Sequence, residues 1–440
     1  MRPRFPHPFI LLLCTVVVAA ALTWVLPAGA YDRQPDPATG RELVVQGTYH
    51  RIDPAPVGPM QTLLAVPKGI IAGADVIVTI LFVGGAFALL DKTGALGRLV
   101  SSLVGRFRRR PRLVVGLMCL PFATLGALEN MHEEIIALVP VLLVLSRGLG
   151  FGAVTALAIS LGSAVVGAAF GPTNPFAAGI ALRFAELPPL SAGGLRLAML
   201  LAAVALWIWW TVSQVKNDDV HPEVGPVPVA TATGRDGILL ALVLLPFAPY
   251  VYGVLRLDWG FNELSALFLV AGFAVGLVAR MGLRGTAEKF LEGMAGMLAA
   301  SLFVGVARAI SVVLSEGHII DTILYGLATP LDDVPGFLAA GLMVPMQAIL
   351  HIPVASNSGQ AVLTMPILAP LADLLGFSRQ VTVLAYQTGA ALMDGVSPTN
   401  GAMLAMLLAA GVPYERWLRF AIPGLLLVSI VGFVGMALAF

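Results

Sequence analysis

The chain has 440 residues, of which 58% are hydrophobic and only 12% are charged, and its mean hydropathy is +0.90. Soluble proteins carry about 25% charged residues, so this composition excludes a soluble enzyme, a disordered chain and a nucleic-acid-binding protein. The net charge of +1 provides no strong field for a polyanion. We therefore expect an all-α polytopic membrane protein whose surroundings are the lipid bilayer, with no nucleic-acid partner.

The first apolar run covers residues 8–26 and follows Arg2 and Arg4. Its length exceeds the usual hydrophobic region of a signal peptide. A signal peptide remains the alternative, but we interpret the run as a membrane-spanning anchor. Because basic residues favour the cytoplasmic side of a span, this interpretation places the N-terminus in the cytoplasm.

The next segment, 31–66, is polar and contains several turn-forming residues, which predicts a small hairpin outside the membrane. A second span is expected over residues 70–90. The arginine-rich stretch 98–112 then indicates a return to the cytoplasm. Residues 1–110 are therefore predicted to form N-terminal spans that belong to a scaffold.

The chain after residue 110 consists of further apolar runs and one long polar segment. We predict a first repeat over 111–213, a cytoplasmic linker over 214–236, scaffold spans over 237–335 and a second repeat over 336–440. Each repeat is expected to contain a re-entrant hairpin and a broken helix, and the last span closes the second repeat.

Two apolar runs are interrupted by polar residues near their midpoints. Residues 112–146 are divided by the polar stretch 129–134, and residues 336–375 are divided by 356–360. The apolar segments on either side are short for full spans. This pattern predicts two helical hairpins that enter the membrane, turn inside it and leave on the same side, which requires protein or water around the turn.

The two halves of the chain match when the sequence is displaced by 226 residues. Pro172-Thr173-Asn174 then falls on Pro398-Thr399-Asn400, and Leu149-Gly150-Phe151 falls on Leu375-Gly376-Phe377. The two polar stretches also coincide. Because the predicted topology has an odd number of crossings between them, the copies should be inverted, which is the construction of secondary transporters.

Each repeat also contains a proline-flanked polar motif inside an apolar run. Thr173 and Asn174 lie between two prolines, and Ser397, Thr399 and Asn400 surround a third. Proline removes a backbone donor and interrupts a helix, so unwound carbonyls and polar side chains could bind a cation, and a half-helix N-terminus could bind a carboxylate. A simple proline kink is the alternative. The candidate Na⁺ ligands are Asn130, Thr173, Asn174, Asn357, Thr399 and Asn400.

Carboxylates within membrane segments are costly and commonly functional. Glu129, Glu133 and Glu134 lie at the first polar stretch, and Asp394 precedes the second break. They could bind a cationic substrate, a proton or Na⁺, whereas a solvated cytoplasmic loop is the alternative for the three glutamates. The candidate substrate- and ion-binding residues are Glu129, Asn130, His132, Glu133, Glu134, Thr173, Asn174, Ser356, Asn357, Ser358, Gly359, Gln360, Asp394, Ser397, Thr399 and Asn400.

Sequence motifs of enzymes are not completed in this chain. His132-Glu133 begins like the zinc-protease motif, but Ile136 occupies the position of its second histidine, and no Walker phosphate loop is present. We therefore expect neither an enzyme nor a cofactor, apart from a coupling Na⁺ or H⁺.

The chain resembles the YfcC family of bacterial inner-membrane carriers, which is related to the anaerobic C4-dicarboxylate carriers. The motifs that carry the resemblance run from the first outside loop nearly to the C-terminus. They are Pro67-Lys68-Gly69-Ile70, Gly84-Gly85-Ala86-Phe87, Lys92-Thr93-Gly94-Ala95, Glu133-Glu134, Asn174-Pro175-Phe176, Ser358-Gly359-Gln360-Ala361, Met365-Pro366-Ile367, Pro398-Thr399 and Pro413-Tyr414-Glu415 with Trp417.

The resemblance implies a fold of the ion transporter superfamily, with inverted repeats, two re-entrant helical hairpins and two broken helices. It also implies a homodimer in the bacterial inner membrane, in which a scaffold stays still while a transport domain moves like an elevator. The tips 130–134 and 356–360 and the breaks 172–174 and 397–400 would then form the substrate and cation sites.

Together, these observations predict a secondary active transporter that works by alternating access. Its substrate is expected to be a small carboxylate-bearing solute, either a basic amino acid or a C4-dicarboxylate, and transport would be coupled to Na⁺ or H⁺ or proceed by exchange. The carboxylates of the first tip favour a cationic amino acid, because they would repel a dicarboxylate. The alternative is a passive channel or facilitator for small organic anions.

Overall fold

The computed structural model describes residues 8–35, 42–45, 47–95, 98, 102, 111–172, 174–188, 190–214, 233–257, 259–331 and 334–440. This part of the chain is almost entirely helical, which confirms the prediction of an all-α polytopic membrane protein. Six of its helices are long and apolar enough to cross a membrane: Ala74–Lys92, Ala153–Phe170, Gly193–Gln214, Phe261–Val278, Gly282–Glu316 and Tyr414–Ala439. Many side chains on their outer faces are apolar and exposed, among them Leu201, Val270 and Leu426, as expected for a surface in contact with lipid.

The first half contains short strands near the N-terminus and helices thereafter. Its elements are α1 (Pro8–Val25), β1 (Gly29–Ala30), β2 (Arg33–Pro35), β3 (Glu42–Val44), β4 (His50–Arg51), α2 (Pro59–Ala72), α3 (Ala74–Lys92), α4 (Pro111–Glu129), a 3₁₀ turn (Glu134–Leu138), α5 (Val139–Gly148), α6 (Ala153–Phe170), a π-helical turn (Pro175–Gly179), α7 (Ile180–Phe184) and α8 (Gly193–Gln214).

The regular secondary structure of the second half is helical in the described residues. Its elements are α9 (Gly234–Leu244), α10 (Phe247–Leu257), α11 (Phe261–Val278), α12 (Gly282–Glu316), α13 (Ile320–Ala328), a 3₁₀ turn (Thr329–Leu331), α14 (Gly336–His351), α15 (Asn357–Leu374), α16 (Arg379–Tyr386), a π-helical turn (Gln387–Ala391), α17 (Gly401–Ala410) and α18 (Tyr414–Ala439).

The predicted N-terminal hairpin is present as two small antiparallel ribbons. Strand β1 pairs with β4, and β2 pairs with β3, so that Arg33 lies opposite Val44. The Arg33 guanidinium forms an ion pair with the buried Asp321 carboxylate of α13 at 2.8 Å, and β3 packs against α15. This contact attaches the N-terminal loop to the second half of the molecule.

Helix α12 packs against helices from both halves of the chain. It has 35 residues and packs against α1, α2, α3, α11 and α17. Small residues allow the closest approaches: a Cβ atom at Gly69 of α2 would lie 2.5 Å from the backbone nitrogen of Ala309. Close backbone approach through small residues is the usual way in which helices associate inside membranes.

Helices α4 and α6 of the first repeat pack in the same manner. A Cβ atom at Gly126 would lie 2.0 Å from the carbonyl oxygen of Ala164, and one at Gly167 would lie 2.0 Å from that of Ala123. Neither glycine can therefore be enlarged unless the two backbones move apart. The contact holds the first hairpin against the broken helix of its own repeat.

Replacing Gly167 with alanine should lower the stability of the protein by about 1–3 kcal/mol, because the added methyl group must push the backbone of α4 away. Gly237→Ala is the matched control, since no atom lies within 4 Å of that Cβ position and the change favours helix by about 0.5–1 kcal/mol. Thermal unfolding in detergent measures both variants. Equal stability of Gly167→Ala and the native protein would contradict the close α4–α6 packing.

The predicted linker 214–236 is described only at its ends, because residues 215–232 lie outside the described part of the chain. Most of the arginine-rich stretch 98–112 also lies outside it.

Helix α9 begins at Gly234, within the last residues of that linker. Thr233 caps the helix by accepting a hydrogen bond from the Asp236 backbone N–H, and the Asp236 carboxylate accepts one from the Thr233 backbone N–H at 2.8 Å. This reciprocal capping box satisfies donors that a helix start leaves free. The boundaries of the five predicted regions remain predictions.

Arg98 donates two hydrogen bonds to Asp236, at 2.6 and 3.1 Å, and so connects the end of the N-terminal spans with α9. These bonds, together with those from Thr233, hold the pKa of the Asp236 carboxyl well below its usual value. A depressed pKa means that the stabilisation is present above the usual aspartate pKa of about 3.9 and is lost as the pH falls below it.

Asp236→Asn should therefore lower the unfolding temperature at pH 7 and at pH 5, and the difference from the native protein should shrink toward pH 3.5. Glu288→Gln is the control, because that carboxylate is exposed and pairs only with Arg284 on the helix surface, where ion pairs contribute little. Thermal unfolding in detergent across this pH range is the measurement. A difference that does not depend on pH would contradict the role of the ionised carboxylate.

Candidate functional site

The residues of each predicted hairpin form two helices joined by a short non-helical segment, and their re-entry into the membrane stays a prediction. In the first, residues 130–133 connect α4 with the 3₁₀ turn and α5, and in the second, residues 352–356 connect α14 with α15. The second polar stretch differs from the expectation in one respect: Ser358, Gly359 and Gln360 form the first turn of α15. Helix starts there because the Ser356 hydroxyl oxygen accepts a hydrogen bond from the Gly359 backbone N–H at 3.3 Å. The depth of the hairpins in the membrane stays a prediction.

The first tip is a tight turn of polar residues. Asn130 adopts the left-handed conformation with φ of 57°, which asparagine tolerates better than most residues. His132 is 3% exposed. Glu129 is the last residue of α4 and Glu134 begins the 3₁₀ turn, but the side chains of these two glutamates lie outside the described part.

The two broken helices use the same device at positions related by the repeat. The Asn174 side-chain oxygen accepts from the Ala177 backbone N–H at 2.9 Å, and that of Asn400 accepts from the Met403 N–H at 2.8 Å. Each asparagine therefore caps the helical segment that follows the break. Thr173, the counterpart of Thr399, lies outside the described residues.

The breaks also satisfy carbonyl oxygens at the ends of the hairpin helices. The Asn174 amide donates to the carbonyl oxygen of Gly126 at 3.0 Å, and the Thr399 hydroxyl donates to that of Ile352 at 2.7 Å. Gly126 and Ile352 occupy corresponding positions in the two repeats. The Gly126 oxygen also accepts from the Asn130 backbone N–H at 2.9 Å, so the bond from Asn174 adds to that one. Each break is thus bonded to the hairpin of its own repeat.

The Asp394 carboxylate lies where the two tips meet the second break. One oxygen, Oδ1, lies 2.8 Å from His351 Nε2 and accepts from the Asn400 amide at 2.6 Å. The other, Oδ2, accepts from the Asn357 amide at 2.7 Å and lies 3.7 Å from His132 Nδ1. We call these five residues the Asp394 centre. All of them are buried.

Residues of the first tip thus reach the second hairpin directly. His132 contributes to the Asp394 centre, and the Asn357 amide also lies 3.4 Å from Asn130 Oδ1. The Tyr386 hydroxyl donates to the Asn357 carbonyl oxygen at 2.5 Å, which holds the start of α15 from a third side. The structure therefore brings together six of the residues singled out in the sequence: Asn130, His132, Asn357, Gln360, Asp394 and Asn400.

Gln360 belongs to this set through a chain of buried side chains that the sequence analysis missed. His351 Nδ1 lies 2.7 Å from Gln360 Oε1, and the Gln360 amide donates to the backbone oxygen of Gln347 at 2.8 Å. The Gln347 amide in turn donates to Thr364 at 3.2 Å. The spacing of Gln347 and His351 could have identified them from the sequence. They lie four residues apart within an apolar run and so share one face of α14.

Other predicted residues lie apart from the centre. Asn174 caps the first break, Ser356 caps α15, and the Ser397 and Thr399 hydroxyls bond to each other at 2.7 Å. Ser358 is half-buried. Gly359 lines a cavity of about 460 Å³ whose other walls include Arg33, Val354 and Asp321.

The first turns of α15 separate this cavity from the Asp394 centre. Gly359, Val362 and Leu363 face the cavity, whereas Asn357 and Gln360 contact the centre. These two sets lie on opposite faces of the helix because successive residues are about 100° apart. A single helix therefore forms the wall between an open space and the buried polar residues.

Two buried atoms of the centre lack a hydrogen-bond partner in the described structure, namely His132 Nε2 and Asn357 Oδ1. Unsatisfied buried polar atoms are costly, and an amide oxygen can only accept. Glu133 lies beside the centre, within electrostatic range of His132, Asp394 and Arg308. The arrangement offers acceptors and negative charge, which suit a ligand that donates hydrogen bonds or carries positive charge.

Within the described residues, no group of three or more His, Cys, Asp or Glu side chains could hold a metal ion. A transition-metal site would draw its ligands from such a group. Of the six residues expected to bind Na⁺, the five that the structure describes do not share one set of contacts: Asn130, Asn357 and Asn400 lie around Asp394, while Asn174 and Thr399 bond to separate backbone groups. Sodium binding remains a prediction.

The helical fold, the apolar outer surface and the buried polar centre define a multi-pass membrane carrier. The sequence comparison agrees: residues 5–440 match the family described as "DcuC: C4-dicarboxylate anaerobic carrier", so the chain belongs to the DcuC family. Family membership makes it a membrane transporter of small molecules and not an enzyme. The resemblance to C4-dicarboxylate carriers is confirmed.

Curated relatives match over nearly the whole chain. A protein of Escherichia coli strain K12, named putative basic amino acid antiporter YfcC, is 27% identical, and the match covers 95% of this chain and 93% of that protein. An uncharacterized protein of Haemophilus influenzae is also 27% identical, with coverage of 96% and 94%. The resemblance to the YfcC proteins is thus confirmed.

Two solved structures of membrane transporters are similar to this chain at lower sequence identity. Neisseria gonorrhoeae MtrF, described among antimetabolite efflux pumps, has a TM-score of 0.45 at 16% identity, with 99% of this chain and 95% of that chain covered. The Alcanivorax borkumensis YdaH transporter has a TM-score of 0.45 at 16% identity, with 98% of each chain covered.

Cysteines placed at Asn130 and Asn357 should be joined in the native membrane by a short bifunctional methanethiosulfonate reagent, because the side chains of these residues approach to 3.4 Å. The native Cys14 and Cys119 would first be replaced. After cleavage at a protease site inserted within residues 215–232, the cross-link should keep the two halves together on a non-reducing gel.

The control pairs the cysteine at position 130 with one at Ser429, which lies on the exposed face of α18. This pair should leave the halves separable. Separation of the two halves in the Asn130–Asn357 variant after treatment with the cross-linker would contradict the meeting of the two hairpin tips.

Proposed function

We propose that this carrier is a secondary active transporter of a small carboxylate-bearing solute, a basic amino acid or a C4-dicarboxylate, coupled to Na⁺ or H⁺ or operating as an exchanger. The observation that carries the proposal is the Asp394 centre, where residues of both repeats enclose a buried carboxylate. Intramembrane carboxylates are characteristic of substrate and ion pathways.

The charges of the site favour a basic amino acid over a dicarboxylate. Asp394 and Glu133 are both acidic, and the Asn357 oxygen lacks a donor. A second carboxylate brought by the substrate would be repelled, whereas an ammonium or guanidinium group would fit. The name of the E. coli relative, putative basic amino acid antiporter, supports the same choice.

Arg308 is the proposed partner of the substrate carboxylate. It lies within α12, its side chain is exposed, and it lies within electrostatic range of Glu133. An arginine in a membrane-spanning helix does not face lipid at low cost, so an exposed one is expected to border water or a polar pathway. Its planar guanidinium can bind a carboxylate through two parallel hydrogen bonds.

The proposed transport mechanism is alternating access. The cavity beside Gly359 and the Asp394 centre are separated by the start of α15, so a movement of the second hairpin would join them. The corresponding breaks and hairpins in the two halves support an inverted repeat. An elevator movement, a homodimer, the bacterial inner membrane and a cytoplasmic N-terminus are part of the proposal by resemblance to the family.

Purified protein in liposomes should take up radiolabelled arginine or ornithine by saturable counterflow, that is, uptake driven by the same solute inside. Succinate tests the dicarboxylate alternative, and Na⁺ and choline buffers test Na⁺ coupling. Counterflow distinguishes a carrier from a channel. Current without saturation, or no movement of any of these solutes, would refute the proposal.

Arg308→Gln should raise the half-saturating concentration of arginine at least tenfold, or about 1.4 kcal/mol. It should leave that of agmatine, which lacks the carboxylate, nearly unchanged. Glu133→Gln should weaken both cations, and Glu288→Gln, an exposed surface carboxylate, should weaken neither. An equal effect of Arg308→Gln on arginine and agmatine would exclude Arg308 as the carboxylate partner.

A further inference from the structure

His351 is the least expected member of the Asp394 centre. It is the last residue of α14 and is fully buried. Its imidazole lies between Asp394 Oδ1, at 2.8 Å from Nε2, and Gln360 Oε1, at 2.7 Å from Nδ1. The protons on these two nitrogens can be assigned from the neighbouring hydrogen bonds.

The Gln360 amide has only one orientation that satisfies its neighbours. Its nitrogen faces the backbone oxygen of Gln347 at 2.8 Å, and that oxygen can only accept. Rotating the amide by 180° would place two oxygens against each other. Gln360 Oε1 therefore faces His351, so His351 Nδ1 must carry a hydrogen.

The other partners of Asp394 are also donors in fixed orientations. The oxygen of the Asn400 amide is occupied by the Met403 backbone N–H, so its nitrogen must face Asp394. The Asn357 nitrogen faces the second carboxylate oxygen. The contact between His351 Nε2 and Asp394 Oδ1 then requires one further proton, held on the nitrogen or on the oxygen. Without it, two lone pairs would face each other at 2.8 Å.

We propose that the single proton shared by His351 and Asp394 is the coupling ion of this carrier, and that it competes with the cationic group of the substrate for the Asp394 carboxylate. This inference rests on the proposed transport function. When the cation binds, the shared proton leaves the His351–Asp394 pair for water in the open compartment, and the electron pair of the broken N–H or O–H bond stays on the atom that held the proton. Because one positive charge enters with the substrate and one leaves with the proton, the net charge of the centre stays the same.

The surroundings contain an acceptor for the incoming cation. Asn357 Oδ1 is buried and unpartnered in the described structure, beside the same carboxylate. The other titratable or charged groups near the pair are His132 and Glu133 of the first tip, Arg308 of α12 and Tyr386 of α16. Among these groups and within the described residues, His351 alone has a hydrogen-bond acceptor at each of its two ring nitrogens.

The first test uses the native protein in liposomes that contain a pH-sensitive dye. Arginine uptake should release one proton from the vesicles for each molecule taken up. Clamping the membrane potential with potassium and valinomycin should leave the rate unchanged, because a monovalent cation exchanges for a proton. Acidifying the substrate side should raise the half-saturating arginine concentration by up to about tenfold per pH unit, without lowering the maximal rate, as for two ligands that exclude each other.

Variants separate proton coupling from a structural role. Glutamine cannot carry a transferable proton, so His351→Gln should abolish the proton release. It should also remove the pH dependence of the arginine concentration that gives half-maximal thermal stabilisation. Asp394→Asn should abolish both the proton release and the thermal stabilisation by arginine. The controls are His50→Gln and Asp32→Asn, since these residues form an exposed His–Asp pair at 3.9 Å in the N-terminal loop, and both variants should behave like the native protein.

The possible results lead to different conclusions. Saturable arginine counterflow in the native protein without proton movement, and with a half-saturating concentration independent of pH, would overturn this inference and leave the proposed function standing. A His351→Gln protein that keeps proton coupling would also overturn it. If no solute moves at all, both the proposed function and the inference fail. Thermal unfolding of each variant identifies those that lose activity because they do not fold.

Discussion

The buried carboxylate of Asp394 is the interaction on which the rest of the site depends. A charged group inside a membrane protein is stable only when hydrogen-bond donors or opposite charges surround it. Its partners come from three separate segments: the second hairpin provides His351 and Asn357, the second break provides Asn400, and the first tip provides His132 at a longer distance. A movement of any of these segments changes the environment of the carboxylate, which makes the centre sensitive to the conformation of the protein.

The two repeats share their backbone design and differ in chemistry. Both breaks end in an asparagine that caps the following helix, and both are bonded to the hairpin helix of their own repeat. The positions that correspond to Asp394 and His351 in the first half are Ala168 and Leu125. The duplicated part is therefore the frame that holds an interrupted helix, whereas the titratable pair occurs in the second half alone.

In the proposed mechanism, access to the centre depends on the second hairpin. The start of α15 has one face in the cavity and the other on the Asp394 centre, and its residues are held by Ser356 and Tyr386. The same hairpin carries His351, so a movement that opens the centre would also alter the contact that holds the shared proton. In the proposed mechanism, substrate access and proton binding are therefore coupled through one structural element.

The sequence by itself determined the class of protein, because low charge and long apolar runs are compatible only with a membrane environment. It also identified the two interruptions and the two proline-flanked motifs, since polar residues and prolines are conspicuous in apolar segments. The contacts among them were decided by the tertiary structure. Hydrophobic periodicity does not reveal which polar groups meet across helices, so His351 and Gln347 went unnoticed, and Asn174 and Ser356 proved to cap helices. Only the packing of the two hairpins against the second break brings Asn130, His132 and Asn357 to Asp394.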